Sequence, residues 1–296
     1  MEGSKQNKAY VLALVALVLW STMSSAFKIT LRYIEFDQLL FWSSLVGIIV
    51  LFLINRFIKT PLNFSALKPR DIYTSMLMGL FNPFLYYLVL FKAYELLDAQ
   101  IAGTLNYTWP LTLVIMSSIF LRQKISILSY VAILISFFGI IIISTNGTFT
   151  GFGNSNIFGI ILAVGSSILW ASYWILNLKD KREETGKILL NLIFGFIFIL
   201  IYMLVTSKNI TLPTGYALIG SIYIGMFEMS ITFVVWLSAL KNSDNTAKVS
   251  NIIFLSPFIA LMIINFTVGE SIKPSTILGL IFIVIGILAQ KFLNNK

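Results

Sequence analysis

Long apolar runs alternate along this chain with short polar segments, and each run is about as long as a membrane is thick. A helix needs roughly 20 predominantly apolar residues to cross the hydrocarbon core. Ten stretches meet that length, at residues 9–28, 38–57, 71–93, 98–122, 126–145, 156–177, 186–206, 216–239, 246–268 and 274–293. A membrane barrel would instead show segments of about ten residues in which apolar and polar positions alternate. The pattern therefore predicts an all-α integral membrane protein with ten transmembrane helices. Its longest connections, near 57–70, 145–156 and 177–187, are too short to form separate domains.

The first half of the pattern recurs in the second. Leu19-Trp20-Ser21-Thr22, with Lys28 beyond it, is answered by Leu169-Trp170-Ala171-Ser172, with Lys179 beyond it. Asn106-Tyr107-Thr108-Trp109-Pro110 is answered by Ile253-Phe254-Leu255-Ser256-Pro257, and Gln123 and Gly139 by Glu270 and Gly286. An odd number of spans per half forces the halves to sit in the membrane with opposite topology. Two inverted five-helix repeats of this kind form the architecture of many secondary transporters. The expected division is a first repeat over 1–146, a linker over 147–155 and a second repeat over 156–296. Residues 145–156 carry no charge and are rich in Gly and Asn, as a linker would be.

Composition agrees and charge adds an orientation. Apolar residues make up 58% and charged residues 11%, against about 45–50% and about 25% in soluble domains. Of the 21 Lys and Arg, all but Lys28, Arg32, Lys92, Lys208 and Lys273 fall on the side of the membrane that also carries both ends of the chain. By the positive-inside rule that side is the cytoplasm. The first stretch has the outline of a signal peptide, with Lys5 and Lys8 before it and Ser24-Ser25-Ala26 after it. Nine more spans follow, and the repeat needs it as an opening helix, so it is expected to be retained.

Charge and composition also exclude several activities. The net charge of +9 sits at helix ends, where topology accounts for it, and leaves no basic-aromatic patch for nucleic acid. The chain has no Cys and no His, so thiolate and imidazole metal sites are absent and no cofactor is expected. A serine nucleophile would need a His or Lys base in reach. An aspartyl pair would need two carboxylates at membrane depth, whereas every Asp lies near a helix end. The chain is not expected to be an enzyme.

What lies at membrane depth is more telling. Glu228 falls near the middle of 216–239. An ionised side chain there costs several kcal/mol, about 2.5–3.5 on insertion scales for comparable groups. It must be paired, solvated in a cavity or protonated, which makes it a candidate for substrate binding and for coupling to protons. The bland reading is a protonated Glu bonded to a neighbouring helix. Thr232 and Trp236 follow it at i+4 and i+8 on one helical face. The repeat matches Glu228 to Asn82, which is followed by Pro83 and, one turn on, Tyr86. Aromatic faces supply candidate walls: Trp170, Tyr173, Trp174 and Asn177 on one helix, and Trp20, Met23, Ser24 and Phe27 on its counterpart. Asn106, Trp109 and Pro110 share a third face, where Pro110 frees a carbonyl. Helix packing or an interfacial belt suits Trp20 and Trp170 as well, but their recurrence favours a cavity. Trp42 is expected to face lipid, and Lys28 and Lys179 to snorkel.

These residues carry a resemblance. The chain is similar to ten-span members of the drug/metabolite transporter superfamily with two EamA-type repeats. Leu19-Trp20-Ser21-Thr22-Met23, Asn106-Tyr107-x-Trp109-Pro110 and Trp170-Ala171-x-Tyr173 are similar to segments of bacterial aromatic amino acid and paraquat exporters. Gly225-Met226-Phe227-Glu228-Met229 and Asn82-Pro83-Phe84-Leu85-Tyr86-Tyr87 depart from those exporters. The resemblance implies spans 1, 3, 4, 6, 8 and 9 around a central pathway, the fifth helix of each repeat outside it, and a monomer. The expected function is alternating-access export of a small amine-bearing metabolite, such as an amino acid, from a multi-pass protein of the cell membrane. Its expected partners are that solute, the lipid bilayer and coupling protons. A passive channel would show a filter or charged ring, and a scaffold would need an exposed domain.

Overall fold

The computed structural model of the protein describes residues 2–58, 61–121, 127–148, 156–243, 249 and 252–294. Among these residues every regular element is helical. The chain runs α1 (Glu2–Thr30), α2 (Phe36–Phe57), α3 (Pro69–Gly79), α4 (Tyr86–Leu96), α5 (Ala99–Asn106), α6 (Trp109–Leu121) and α7 (Ile127–Ser144). It continues with α8 (Ile157–Lys179), α9 (Glu184–Val205), α10 (Gly215–Met226), α11 (Thr232–Lys241), α12 (Ser256–Thr267) and α13 (Pro274–Asn294). Gln123, Arg122, Lys124 and Lys248, and most of the expected linker over 147–155, lie outside the described residues.

Among the described residues, six helical stretches are long and apolar enough to cross a membrane: Lys5–Thr30, Phe36–Phe57, Pro69–Leu96, Ile157–Asn177, Glu184–Val205 and Gly215–Lys241. The distribution of side chains is that of a protein solvated by lipid. Phe266, Val205 and Leu134 stand outward, while Ser21, Ser43, Thr104, Asn191 and Glu228 are buried. Without water in the bilayer core, polar groups gain only by facing one another inside. The protein is an integral membrane protein.

Four of the ten apolar stretches are not continuous α-helices, and each departure has a local cause. Residues 98–122, expected as one span, form α5 and α6 with Tyr107-Thr108 between them. Pro110 cannot donate to the Asn106 carbonyl, which ends the first helix. Residues 246–268 contain a 3₁₀ turn, Ile252–Leu255, before α12, with Pro257 in its first turn. Between α3 and α4 lies a π turn, Leu80–Leu85, in which Asn82 has φ −145° and ψ 118°. A residue before proline is pushed out of the helical region. Between α10 and α11 lies a second π turn, Phe227–Ile231. There the Ser230 hydroxyl donates to the carbonyls of Gly225 and Met226 at 2.9 and 2.7 Å, satisfying oxygens the wider turn frees.

Packing places these breaks at the centre. Bare backbone on α9 receives the first π turn: a Cβ on Gly195 would lie 2.3 Å from Pro83 Cδ. Helices α7 and α13 pack along each other, where a Cβ on Gly139 would meet the Gly279 carbonyl at 2.4 Å. Small residues of this kind let membrane helices approach closely.

Two expectations about the helix ends need correction. Lys28 does not snorkel: its ammonium donates to the carbonyls of Tyr94 and Leu97 at 2.8 and 2.5 Å. Those are orphan carbonyls at the end of α4, and a cation complements them. Trp42 is not simply lipid-facing either, since its indole N–H donates to the Thr211 carbonyl at 2.9 Å. Lys179 is exposed.

Candidate functional site

The helix breaks leave a cavity of about 170 Å³ among α1, α4, α5, α8, α11 and the start of α12. Trp20 and Ser24 enter it from α1, Tyr86 from α4, Asn106 from α5, Trp109 from the start of α6, and Trp170 and Trp174 from α8. Glu228 enters from the second π turn. No described residue of α7 or α13 lines its wall. The i, i+4 spacing of Trp170 and Trp174, and of Trp20 and Ser24, puts each pair on one helical face.

Three sequence-predicted site residues stand elsewhere. Asn82 and Tyr173 line a second, smaller void behind the first, with Tyr87, Asn191 and Met229. Asn82 leaves the helical path at the Pro83 kink, so it does not share a face with Tyr86. Thr232 is wholly buried at 0% exposure and lines neither cavity. The π turn shifts the phase between Glu228 and the start of α11, which breaks the expected i+4 relation.

Glu228 is 8% exposed. Its Oε1 accepts a hydrogen bond from the Tyr87 hydroxyl at 3.0 Å, while Oε2 is buried without a partner. Glu228 makes no ion pair with any described residue. The indole N–H of Trp174, another lining residue, is likewise buried without a partner. Other polar groups are already engaged. Asn106 Oδ1 accepts from the Tyr86 hydroxyl at 3.3 Å, and its Nδ2 donates to Ser166 Oγ at 2.8 Å. Ser24 and Tyr94 share a hydrogen bond of 2.7 Å. The cavity therefore offers the Glu228 carboxylate as an acceptor and, from its aromatic walls, the indole N–H groups of Trp20, Trp109, Trp170, Trp174 and Trp236, none of which makes a hydrogen bond to a described residue.

Those walls are a connected ring system. Trp170 lies 4.7 Å from Tyr86 and 6.0 Å from Phe233, and Phe233 lies 5.8 Å from Trp20. Trp20 in turn lies 5.7 Å from Trp236. Sequence reasoning missed Tyr87, Phe233 and Tyr94 as site residues. Tyr94 was accessible in principle, since Tyr86, Leu90 and Tyr94 recur at i, i+4 and i+8. Tyr87 had no such signal, because only the fold sets it against Glu228 from a helix 141 positions away.

One end of the cavity is closed by a polar knot that no motif announces. The Glu270 carboxylate accepts from the Ala99 and Gln100 N–H groups at 2.7 and 3.1 Å, serving the first turn of α5. Gln100 then donates to the Ser271 carbonyl and accepts from the Lys273 N–H, both at 2.9 Å. No group of three or more acidic side chains among the described residues could hold a metal ion.

A polytopic helical membrane protein enclosing a solute-sized aromatic cavity is the class these features define. The profile of the EamA-like transporter family matches the chain twice, over residues 7–145 and 157–289. The chain belongs to that family. It is 25% identical to an uncharacterized transporter of Clostridium kluyveri, over 98% of this chain and 95% of that protein. An uncharacterized transporter of Archaeoglobus fulgidus is 23% identical over 95% and 97% of the two chains. The Bacillus subtilis uncharacterized transporter YoaV is 24% identical over 85% of each. A solved crystal structure shares the fold at a TM-score of 0.68 and 17% identity, covering 98% of each chain.

Proposed function

We propose that the protein is a secondary active transporter of the cell membrane, with ten spans in two inverted repeats (1–146 and 156–296) and both termini cytoplasmic. It exports a small amine-bearing metabolite, an amino acid or a close relative, by alternating access around the central cavity, and it works as a monomer. The observation that carries this reading is a carboxylate with no ion-pair partner among the described residues, Glu228, in a cavity walled by Trp20, Trp109, Trp170 and Trp174, whose indole N–H groups bond no described residue. Leaving such atoms unsatisfied costs about 1–3 kcal/mol each, so a ligand bearing both a cationic donor and an acceptor is favoured there. An ammonium group would meet the carboxylate and the faces of Trp20, Trp170 and Tyr86, where cation–π attraction contributes about 0.5–2 kcal/mol.

The same carboxylate suits proton coupling. When Glu228 is protonated the cavity has lost its anion, and the ammonium is released. When it is ionised the ammonium is held. Substrate and proton then compete for one site, which is sufficient for exchange. Asn106, Ser24 and Trp109 shape the cavity, and Asn82, Tyr173 and Thr232 act on it from behind.

Counterflow in proteoliposomes tests the reading, with phenylalanine, lysine and choline as labelled probes. Saturable exchange of an amine-bearing probe that competes with protons is the expected result. Exchange confined to sugars or organic acids would overturn the substrate class. Flux without saturation or counterflow would mark a pore instead.

A further inference from the structure

We infer that the void behind Glu228 is a binding site for an ordered water, which links the Glu228 carboxylate to the half of the bundle opposite the main cavity. The inference rests on the coupling role proposed for Glu228. The void measures about 20 Å³, and a buried water needs about 10–15 Å³ together with two to four polar partners. Two partners are waiting. Asn82 Oδ1 and Asn191 Oδ1 are buried without hydrogen bonds, and their residues are 8% and 2% exposed. Both atoms are acceptors, and the Tyr173 hydroxyl that lines the same void beside Asn82 and Asn191 has a single hydrogen, which cannot serve both, whereas a water carries two. Tyr87 supplies the third partner: it lines this void while its hydroxyl donates to Glu228 Oε1 at 3.0 Å.

The two cavities reach toward opposite ends of the bundle. The main cavity extends to Gln100 at the start of α5. The void extends to Asn191 on the second turn of α9. The start of α9 belongs to the other end, because Arg182 just before it donates to the Asp71 carbonyl and Ser75 Oγ in the first turns of α3. Tyr87 thus stands between the solute site and a pocket on the far side.

A proton can pass along this line without charging any tyrosine. Protonated Glu228 donates its hydrogen to the Tyr87 oxygen as the Tyr87 O–H transfers its own hydrogen to the water. The water passes a hydrogen on to solvent entering from that end, and Tyr87 is restored by rotation. Glu228 has no ion-pair partner among the described residues, and beyond the void the start of α9 carries the Lys187–Glu184 ion pair at 2.9 Å, with Lys187 buried. The titratable side chains around Glu228 are Tyr86, Tyr87 and Tyr94 of α4, with Tyr173 of α8 beyond Tyr87. The carboxylate thereby gains a release route on the side opposite its substrate.

Radiolytic hydroxyl-radical labelling of the purified protein tests the water directly, because bound waters mark the side chains beside them. Met229 and Tyr87 should label at least tenfold faster than Phe91, which is buried at 0% exposure and borders neither cavity. In Asn191→Leu the two should fall to the Phe91 rate, and Asn191→Ser should restore them. Labelling of Met229 and Tyr87 at the Phe91 rate in the wild type would mean a dry void and overturn the site. In proteoliposomes, Asn191→Leu should keep counterflow of the phenylalanine, lysine or choline probe and lose its acceleration by a pH gradient at least tenfold. Full acceleration in that variant would overturn the relay. A wild type that exchanges without any acceleration would remove both the relay and the coupling role of Glu228, while the labelling still decides the water.

Discussion

At the scale of single residues, Glu228 and its one donor dominate. The Glu228→Gln substitution removes the charge while keeping shape, and it is expected to abolish transport or strip it of its pH dependence with membrane insertion intact. Full activity with an unchanged pH profile would defeat the role given to this carboxylate. Tyr87→Phe keeps the ring and deletes the 3.0 Å hydrogen bond. A hydrogen bond to a charged group contributes about 1.5–3 kcal/mol, so the pH profile of exchange should shift by one unit or more. Trp20→Ala and Trp170→Ala should raise the apparent KM several-fold. Unchanged kinetics in both would assign the two indoles to packing.

At the scale of elements, the breaks in the helices do the positioning and the unbroken pair α7 and α13 does not. Asn-Pro at 82–83 forces the first break, and Pro110 the second. The two π turns also remove side chains from the cavity wall, since Asn82 stands behind it and Thr232 lines neither cavity. No described residue of α7 or α13 lines the cavity, so loosening the pair should separate stability from transport. Gly139→Val would drive a side chain into the Gly279 carbonyl, which a Cβ would meet at 2.4 Å. Overpacking of this kind costs about 1–3 kcal/mol. Unfolding in detergent titrations should come earlier by that amount, while the transport rate per folded molecule stays near the wild-type value. A fall in that rate larger than the fall in folded protein would show that the pair takes part in the transport cycle.

At the scale of the whole molecule, polar clasps tie the first half of the chain to the second at both ends. At one end Lys208 holds Glu35 and Asp37 at 2.6 and 3.2 Å. The hydrogen bonds that the Lys208 ammonium donates to Glu35 and then Asp37 push it above the ordinary lysine value. At the other end Arg182 binds Asp180 at 2.6 Å and reaches Asp71 and Ser75. Burial alone would raise the Asp180 carboxyl, but the hydrogen bonds from Arg182 outweigh it and hold the group below the ordinary aspartate value. A depressed carboxyl stabilises the fold above its unfolded value, and that contribution is lost as pH falls through the folded one. The gap in melting temperature between wild type and Arg182→Ala should therefore be full at neutral pH and close below about pH 4. A gap that persisted into acid would mean that Arg182 acts through Asp71 and Ser75 alone. Much of this molecule was legible beforehand: apolar run length gave the membrane helices, and the recurrence of Trp20 at Trp170 pointed to two residues that share one cavity wall. The sequence by itself determined the membrane class, the apolar stretches and the family resemblance, because run length, proline and composition act locally along the chain. Only the tertiary structure decided that Tyr87 meets Glu228, that Asn82 and Tyr173 stand behind the cavity and that Lys28 caps α4. Those contacts join residues far apart in the chain, and a π turn that shifts helical phase leaves no mark in the spacing of residues.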